Sequence, residues 1–401
     1  MTNMDNLMKN WITSRLLYIK RHCFFKCLIA IILILYFTIG NFDKSDKSSE
    51  LQEEMDRKPM HHLKHLNSID IKGYKQSQLR NSNINKVAPT TINVNHLRIE
   101  DMNHSLFAYH APFSGSLIGK PFRIGKDLLA SLDLPLREYI VLSDQNVNSF
   151  VFVTAVDFRF YAGLTHLIHS IQAHFPDKSI LVYDLGLRDS QLDQLRKACN
   201  VKIKVFDDIS PFLPKHVLDA SNYAFKPLVI HDALRTNQGV FWVDSSIRIR
   251  TSNITNSLRN IVHVTRGFMM FTNTGHSNYA VTAKQMYHYL PTRLTEMKRI
   301  EQLEGNAMLI YRTRDVYTNI LQWLTLCALD HHCIAPINIR FCPFGSERFS
   351  EYVYCHRFDQ SAVNILAANY VDFQDASYRS PDKVVNVIRG EDETVSMTQC
   401  S

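Results

Sequence analysis

The stretch "FVFVTAVDFRFYAGLTHLIHSIQAHFPDKSILVYDL", residues 150–185, decides the fold class that the sequence predicts. It begins with residues 150–156, which are apolar except for Thr154, and it ends with a second apolar run at 179–185. Between these runs, apolar residues recur at helical spacing over 160–175. Strands that are apolar along their whole length are typical of a parallel sheet buried on both faces. The stretch therefore predicts a strand–helix–strand unit with two parallel strands.

The same alternation continues toward the C-terminus. Further helices are predicted at 189–199, 223–237, 315–330 and 359–370, and further strands at 201–206, 239–243, 267–273 and 307–313. In this pattern Asp189 and Asp359 stand where helix N-caps belong. The sequence thus predicts an α/β fold with a mainly parallel sheet covered by helices on both faces.

The N-terminal region predicts a membrane anchor. Residues 23–42 are apolar apart from Lys26 and are long enough to span a bilayer. Basic residues lie before this run or near its start: Lys9, Arg15, Lys20 and Arg21 precede it, and Lys26 is its fourth residue. By the positive-inside rule the N-terminus is cytosolic, which gives a type II protein of the Golgi or another secretory-pathway membrane with a luminal C-terminal domain. A cleaved signal peptide is the alternative.

This topology divides the chain into four segments. We expect a cytosolic tail at 1–22, a transmembrane signal anchor at 23–42, a stem with a transitional segment at 43–147, and a luminal domain at 148–390. The chain of 401 residues is 45% hydrophobic and 21% charged, as in globular proteins. Its net charge of +7 is scattered rather than clustered, so no nucleic-acid partner is predicted.

Cysteine usage is consistent with a luminal domain. Six of the eight cysteines follow the apolar run, at positions 199, 327, 333, 342, 355 and 400. An even number favours disulfides in an oxidising compartment, and the sequence leaves all 15 pairings open. Glycosylation sequons begin at Asn103 and Asn253.

Polar residues close the predicted parallel strands, where ligands bind in open α/β sheets. They include Thr154, Asp184 and Asp244. The sequence has no glycine-rich dinucleotide turn after its first long strand, no Walker loop and no G-x-S-x-G or H-E-x-x-H motif. A nucleotide-sugar site fits what remains, because a departing diphosphate needs a divalent cation or basic side chains. At the end of the 239–243 strand the chain offers acid-x-serine, with Asp244 and Ser246.

Four segments carry a resemblance to a known family. They are "FVTAVDFRFYAGLTHLIHSIQAHFPDKSILVYDLGL", "YAFKPLVI", "FWVDSSIRI" and "HRFDQSAVNIL". In this order they resemble a family of uncharacterised invertebrate type II membrane proteins with a glycosyltransferase-like domain, over about residues 148–375. The resemblance implies the GT-A, Rossmann-like fold of nucleotide-diphospho-sugar transferases.

The resemblance also implies roles for particular residues. Asp244 stands at the metal or diphosphate anchor, and Ser246 replaces the second acid of the acid-x-acid motif, so dependence on Mn²⁺ or Mg²⁺ is left open. The other implied roles are a diphosphate or sugar contact for Lys226, a base for Glu304, a catalytic or sugar-binding carboxylate for Asp359, and a third metal ligand for His356. Independently of the resemblance, Arg248 either pairs with Asp244 or takes the place of the cation, and the strand-end positions of Thr154 and Asp184 predict that they border the nucleotide.

Each role has a structural alternative. Asp244 could close its strand, Asp359 could only cap a helix, Asp184 could serve a turn, and Lys226 could be solvated. The functional hypothesis is a glycosyltransferase that moves a sugar from a nucleotide-diphosphate donor to a luminal glycan or protein acceptor. The alternatives are a catalytically inactive binding module with the same fold and, less favoured, a structural glycoprotein. The sugar, the acceptor and the stereochemical course are not fixed by the sequence.

Overall fold

The computed structural model describes residues 103–113 and 117–400, whose strands fall into one large sheet and three small ones. The strands are β1 His104–Phe107, β2 Phe122–Gly125, β3 Phe150–Val156, β4 Ile180–Asp184, β5 Val201–Val205, β6 Gly239–Val243, β7 Ile247–Ile249, β8 Phe268–Met270, β9 Asn273–Ser277, β10 Glu301–Leu303, β11 Ala307–Tyr311 and β12 Val385–Val387.

The large sheet has six strands in the order β5-β4-β3-β6-β11-β8. The first four are parallel to one another. Strand β11 runs antiparallel to both β6 and β8. The predicted mainly parallel sheet is confirmed, with two antiparallel pairings at one edge.

Helices cover both faces of this sheet. They are α1 Lys126–Leu132, α2 Tyr161–His174, α3 Asp189–Lys197, α4 Lys215–Leu218, α5 Phe225–Thr236, α6 Thr255–His263, α7 Met286–Tyr289, α8 Leu294–Met297, α9 Arg314–Val316, α10 Gln322–Leu329, α11 His331–Ile334 and α12 Phe358–Tyr370. A π-helical turn, Tyr317–Leu321, joins α9 to α10.

The central strands are buried on both faces because successive side chains alternate between two hydrophobic cores. In β3, Phe152 packs with Leu164 and Ile168 of α2 on one face. Val153 of the same strand packs with Leu228 of α5 on the other. Burying a large apolar side chain contributes about 1.5–3 kcal/mol, which explains why these strands are apolar along their whole length.

The chain changes direction across the sheet between β3 and β6. From β3 it runs outward through β4 and β5, then returns through α5 to β6 on the other side of β3. Such a point in an open α/β sheet leaves a crevice at the carboxyl ends of the strands. The crevice here lies beyond Val156 of β3 and Val243 of β6.

The segment before residue 148 belongs in part to the packed domain. Strands β1 and β2 pair with each other, and Tyr109, Phe122 and Leu132 are buried in the core that contains α5. The described part of the predicted stem, 103–113 and 117–147, is therefore not a free tether, because its apolar side chains complete this core. The predicted anchor at 23–42 lies outside the described residues, and no helix within them has the length and apolarity to cross a bilayer.

The C-terminal segment also packs on the domain, past the predicted end at 390. Strand β12 pairs with β7, and Gln172 of α2 accepts a hydrogen bond from the Thr398 N–H. The predicted disulfides are confirmed, and the structure selects the pairs Cys199–Cys400, Cys327–Cys333 and Cys342–Cys355.

Both helix caps expected at aspartates fall elsewhere. Arg188 precedes the first helical residue of α3 and Arg357 precedes that of α12. Asp189 and Asp359 therefore lie within the first turns of their helices. A carboxylate in that position still interacts favourably with the helix dipole, but Asp359 has its side chain available for another partner.

Candidate functional site

Asp244 ends the buried strand β6 because the chain turns there. The Asp244 N–H donates to the Asn306 carbonyl at 2.8 Å, and the Asp244 carbonyl accepts from the Ile247 N–H at 2.9 Å. Aspartate is favoured at the first position of such a turn. The "VDSSI" segment thus reverses direction at the crevice and leaves the Asp244 side chain at the carboxyl end of the sheet, with 31% of its surface exposed.

A tryptophan of the same strand orients this carboxylate. Trp242 lies two residues before Asp244, so both side chains lie on the same face of the chain. The Trp242 indole N–H donates to Asp244 Oδ1 at 2.8 Å. Because the Trp242 ring is almost fully buried, its N–H is a fixed donor.

Lys226 joins Asp244 to a second carboxylate. It is the second residue of α5, whose N-terminus reaches the carboxyl ends of the strands. Its Nζ lies 3.2 Å from Asp244 Oδ1 and 3.0 Å from Asp359 Oδ2, and it donates to the Gly305 carbonyl at 2.8 Å. Only 5% of the Lys226 side chain is exposed. The ammonium group thus makes one hydrogen bond and two ion pairs.

The buried carboxyl of Asp359 depends on this lysine. Burial raises the pKa of Asp359, and the Lys226 ammonium opposes that rise. Asp359 has only 7% of its side chain exposed, and its Oδ2 makes no hydrogen bond besides the ion pair. A Cβ at Gly305 would lie 3.1 Å from Asp359 Oδ2, so the glycine permits the close approach of α12 to this edge.

Lys226 stays charged at neutral pH. Burial alone would lower the pKa of Lys226, but the attraction of Asp244 and Asp359 outweighs burial and raises it. An uncompensated buried charge would cost several kcal/mol. The three side chains therefore form one electrostatic unit, which we call the Lys226 cluster.

Two cavities meet at the Lys226 cluster. The strand-end cavity, about 570 Å³, lies beyond β3, β4 and β6 and is lined by residues that include Val156, Asp157, Arg159, Leu185 and Trp242. The arginine cavity, about 530 Å³, lies on the side of β10 and α12. Six residues line both cavities: Tyr223, Lys226, Asp244, Ser246, Arg340 and Arg389. A group leaving one cavity would thus enter the other beside Asp244.

Two further predicted site residues lie at these cavities. Ser246 lines both, two residues after Asp244 in the turn. Glu304 lines the arginine cavity, with 21% of its side chain exposed, and its Oε2 accepts from Arg389 at 2.9 Å. It reaches this edge because antiparallel β11, which follows it, starts where β6 ends, with Ala307 opposite Val243.

Thr154 and Asp184 lie outside the lining of both cavities. Thr154 is fully buried in β3. Asp184 accepts hydrogen bonds from the Gly186 and Leu187 N–H groups at 2.7 and 2.6 Å. The geometry supports the turn-forming alternative for Asp184 and gives no support to a nucleotide contact by either side chain.

Arg248 does not pair with Asp244, contrary to the expected ion pair. Its guanidinium forms an ion pair with Glu391 and donates to the carbonyls of Ser245 and Ile247. Burial lowers the pKa of Arg248 to about 10. The reason for the difference is that the C-terminal segment places Glu391 next to Arg248 on this side of the turn. The Asp244 carboxylate already forms an ion pair with Lys226.

His356 is engaged by the backbone. It is fully buried, its Nδ1 lies 3.2 Å from the Ala283 N–H nitrogen, and its Nε2 lies 3.0 Å from the Ile334 carbonyl oxygen. Burial lowers the pKa of His356 to about 4. Both ring nitrogens are therefore occupied, and the geometry gives no support to metal binding by this residue.

The residues around Asp244 do not fit a divalent metal centre. Asp244 Oδ1 already accepts from Trp242 and contacts Lys226, Ser246 offers a neutral hydroxyl, and Asp359 is held by Lys226. Within residues 103–113 and 117–400 no group of three histidine, cysteine or acidic side chains is placed to hold a metal. Ca²⁺ and Mg²⁺ need several oxygen ligands, which this donor set does not supply.

Two of the residues with a strained backbone lie beside the cluster. Tyr223 and Phe358 have φ angles of 54° and 42°, a region that bulky residues rarely adopt. The two rings lie 5.6 Å apart, and both residues line the arginine cavity. Phe358 directly precedes Asp359 in α12, and Tyr223 lies three residues before Lys226, ahead of α5. Strain of this kind is often found at functional sites.

Several site residues escaped the sequence analysis. Trp242 carried a usable signal, because it stands at period-two spacing from Asp244. Arg159 lies three residues after β3, so its position at a strand end was a usable signal too. Four arginines of the arginine cavity carried none, because they lie far from β3 and β6 in the sequence: Arg340, Arg348, Arg357 and Arg389.

Comparison with protein families gives one match. Residues 94–231 match a family described as "Protein of unknown function (DUF1647)", which covers less than half of the chain. No curated protein matches the chain.

Solved glycosyltransferase structures show a weak likeness. The bifunctional glycosyltransferase WbbM in its apo form is 12% identical with a TM-score of 0.35, over 55% of this chain and 37% of that chain. The galactosyltransferase LgtC with donor and acceptor sugar analogues is also 12% identical with a TM-score of 0.35, over 60% of this chain and 87% of that chain. TarS of S. aureus is 14% identical with a TM-score of 0.28, over 45% and 55%. Likenesses with TM-scores of this size do not establish a function for this chain.

Proposed function

We propose that this protein is a glycosyltransferase that moves a sugar from a nucleotide-diphosphate donor to a glycan or protein acceptor. The observation that carries the proposal is the meeting of two cavities at the Lys226 cluster. A transferase has to bring two substrates together at one reacting bond, whereas a one-ligand binding module needs a single cavity.

The strand-end cavity is the proposed donor site. It lies at the carboxyl ends of parallel strands where the chain reverses across the sheet, the preferred ligand position in such folds. The exposed rings of Phe160 and Tyr223 provide apolar surface for a base or ribose, and Arg159, Arg340 and Arg389 lie around the same space. Guanidinium groups bind phosphate oxygens through paired hydrogen bonds.

In the proposed reaction the bond between the anomeric carbon and the donor phosphate oxygen breaks, and its electron pair leaves with the diphosphate. Arg340 and Arg389 stabilise that charge at the junction. The acceptor hydroxyl oxygen forms the new bond to the anomeric carbon, and its proton passes to Glu304. Asp244 faces the positive charge that develops on the sugar ring, and Asp359 holds Lys226 in place.

The divalent ion implied by the family resemblance has no place in this proposal. The arginines and Lys226 supply positive charge where Mn²⁺ or Mg²⁺ would otherwise act. We also propose that the protein acts in the secretory pathway, anchored by residues 23–42 with its domain in the lumen. Three disulfides support this, because such bonds persist in oxidising compartments.

The test is a binding and turnover screen of the purified full-length chain. Uridine and guanosine diphosphates and their sugar conjugates are titrated by calorimetry, with chelator or with manganese, and nucleoside diphosphate release is measured with an acceptor mixture. We expect binding that survives chelation. Asp244→Asn should lower turnover by at least 10-fold, while the exposed Asp193→Asn control should not change it.

Two outcomes contradict the proposal in different ways. Absence of binding by every nucleotide would exclude the transferase. Binding without turnover by wild type, with equal affinity for Asp244→Asn, would favour the catalytically inactive binding module.

A further inference from the structure

The lining of the arginine cavity contains more positive charge than its carboxylates neutralise. Its lining contains Lys226 and four arginines against three acids. Asp244 and Asp359 share Lys226, and Glu304 pairs with Arg389. In the part of the chain that the structure describes, no ion pair involves Arg340, Arg348 or Arg357, which leaves three guanidinium groups around one space.

Two of these arginines are supported by aromatic rings rather than by acids. The Arg348 guanidinium lies 4.6 Å from the centre of the Phe344 ring, and that of Arg340 lies 5.7 Å from the Phe358 ring. Stacking of this kind orients a guanidinium while leaving its in-plane N–H groups open to a ligand. Arg357 donates to the Arg340 carbonyl at 3.0 Å, which ties the third arginine to the same wall.

The position of the arginines separates them from the proposed diphosphate site. Arg340 and Arg389 line both cavities, but Arg348 and Arg357 line only the arginine cavity. They are therefore on the acceptor side of Asp244. A neutral acceptor would need only hydroxyl contacts, and it would leave like charges facing one another without compensation. An anionic ligand removes that repulsion and gains charge-assisted hydrogen bonds.

We propose that the arginine cavity binds an acidic saccharide, bearing carboxylate or sulfate groups, as the acceptor. The assignment to an acceptor rests on the proposed glycosyltransferase function, whereas the preference for an anionic saccharide does not. Tyr223, which is 40% exposed, provides an aromatic surface for a sugar ring in the same cavity.

The experiment measures binding of short oligosaccharides to the purified full-length chain at physiological salt. The probes are a hyaluronan tetrasaccharide, which carries only carboxylates, a chondroitin sulfate tetrasaccharide, and a neutral chitin tetrasaccharide. We expect the acidic probes to bind at least 10-fold more tightly than the neutral one, and the preference between the two acidic probes distinguishes carboxylate from sulfate recognition.

The variants locate the binding. The double variant Arg348→Gln/Arg357→Gln should weaken acidic binding at least 10-fold and leave nucleoside diphosphate binding unchanged. Arg348→Lys/Arg357→Lys should retain part of the affinity, and the exposed control Arg299→Gln should retain all of it. Equal loss in the control would mean non-specific attraction to a basic protein and would overturn the inference.

The remaining outcomes separate this inference from the proposed function. Neutral binding as tight as acidic binding overturns the inference, and so does a double variant that loses nucleotide affinity as strongly as saccharide affinity, because the arginines then serve the donor. Acidic saccharide binding without any nucleotide binding supports the inference while it excludes the transferase.

Discussion

The Lys226 ammonium lies 3.0 Å from the Asp359 carboxylate, and both side chains are almost entirely buried. A pair of this kind is not a large net source of stability, because taking both charges out of water costs about as much as their attraction returns. Removing one partner is different, since the other charge is left buried alone.

The first prediction concerns that asymmetry. Lys226→Met keeps the length of the side chain and leaves Asp359 and Asp244 facing each other without a cation. We expect the free energy of unfolding to fall by about 3–5 kcal/mol. Urea denaturation at neutral pH measures it. The matched control is Lys204→Met, which breaks the more exposed pair with Asp232 and should cost at most about 1 kcal/mol.

The double variant Lys226→Met/Asp359→Asn gives the second arm of this test. Asparagine in place of Asp359 removes the stranded buried charge, so the double variant should be more stable than Lys226→Met alone. Equal or lower stability would show that the loss comes from side-chain packing rather than charge.

The second prediction concerns pH. Burial lowers the pKa of His231 and of His356 to about 4, from the usual histidine value of 6.5. The unfolded state therefore takes up protons at a higher pH than the folded state does. Their contribution is present above pH 6.5 and is lost as the pH falls toward 4. At pH 5 we expect each histidine to have cost about 2 kcal/mol of stability.

Denaturation at pH 7, 6 and 5 measures this slope. His231→Gln keeps a donor for the Leu132 carbonyl and should flatten the dependence relative to wild type. The more exposed His263→Gln should leave it unchanged. Asp359 has the opposite effect, because its raised pKa makes stability fall as the pH rises. This contribution is the same in wild type and in the histidine variants, so it cancels when their pH slopes are compared. An unchanged slope in His231→Gln would contradict the prediction.

Much of the sheet could be predicted because the apolar pattern of a strand is visible within a short segment of the sequence. The segments 150–156 and 239–243 are largely apolar runs of strand length, 201–206 alternates apolar residues with lysines, and each of the three contains one observed strand. The stem boundary could not be predicted in the same way. Tyr109 and Phe122 lie in short apolar stretches that prolines and polar residues interrupt, without a sustained helical or strand period, and only the assembled core shows that they are buried.

The site was predictable only in part, for a related reason. The sequence alone indicates Asp244 as a site residue, because it is a carboxylate at the end of a buried strand. The family resemblance indicates Lys226 and Asp359. The partner of Arg248 could not be inferred, because Glu391 arrives from a C-terminal segment whose position depends on the whole fold. The arginines of the cavity share that dependence.

The third prediction concerns the disulfide between Cys199 and Cys400. It fixes the C-terminal segment, which carries Arg389 and Glu391 along the wall of the strand-end cavity. Cys199→Ala/Cys400→Ala should lower stability by about 2–5 kcal/mol, because the bond closes a loop with a sequence separation of 201. Thermal melts under non-reducing conditions measure it.

The control for this bond is Cys327→Ala/Cys333→Ala, which opens a loop with a separation of 6. The loop-entropy model gives it the smaller loss. Nucleotide affinity should fall for the first double variant and stay constant for the second. If the second variant loses nucleotide affinity and the first keeps it, then the C-terminal segment does not shape the donor cavity.

The last prediction concerns Trp242 as a positioning residue. Trp242→Phe keeps an aromatic ring in the core and removes the N–H that donates to Asp244. Asp244 is partly exposed, so water can replace the lost hydrogen bond at a cost of about 1 kcal/mol, and the space left by the smaller ring in the core adds about 1–2 kcal/mol to the loss of stability. Turnover should fall more than donor affinity does, because the carboxylate loses its fixed orientation toward the reacting carbon. The matched control is Trp323→Phe, which removes a comparable hydrogen bond to the Thr318 carbonyl outside both cavities. Parallel measurements of unfolding, nucleotide affinity and turnover separate the two cases. If both variants lose turnover equally, or if Trp242→Phe loses stability but keeps full turnover, then the indole serves only the core and Asp244 is oriented by Lys226 alone.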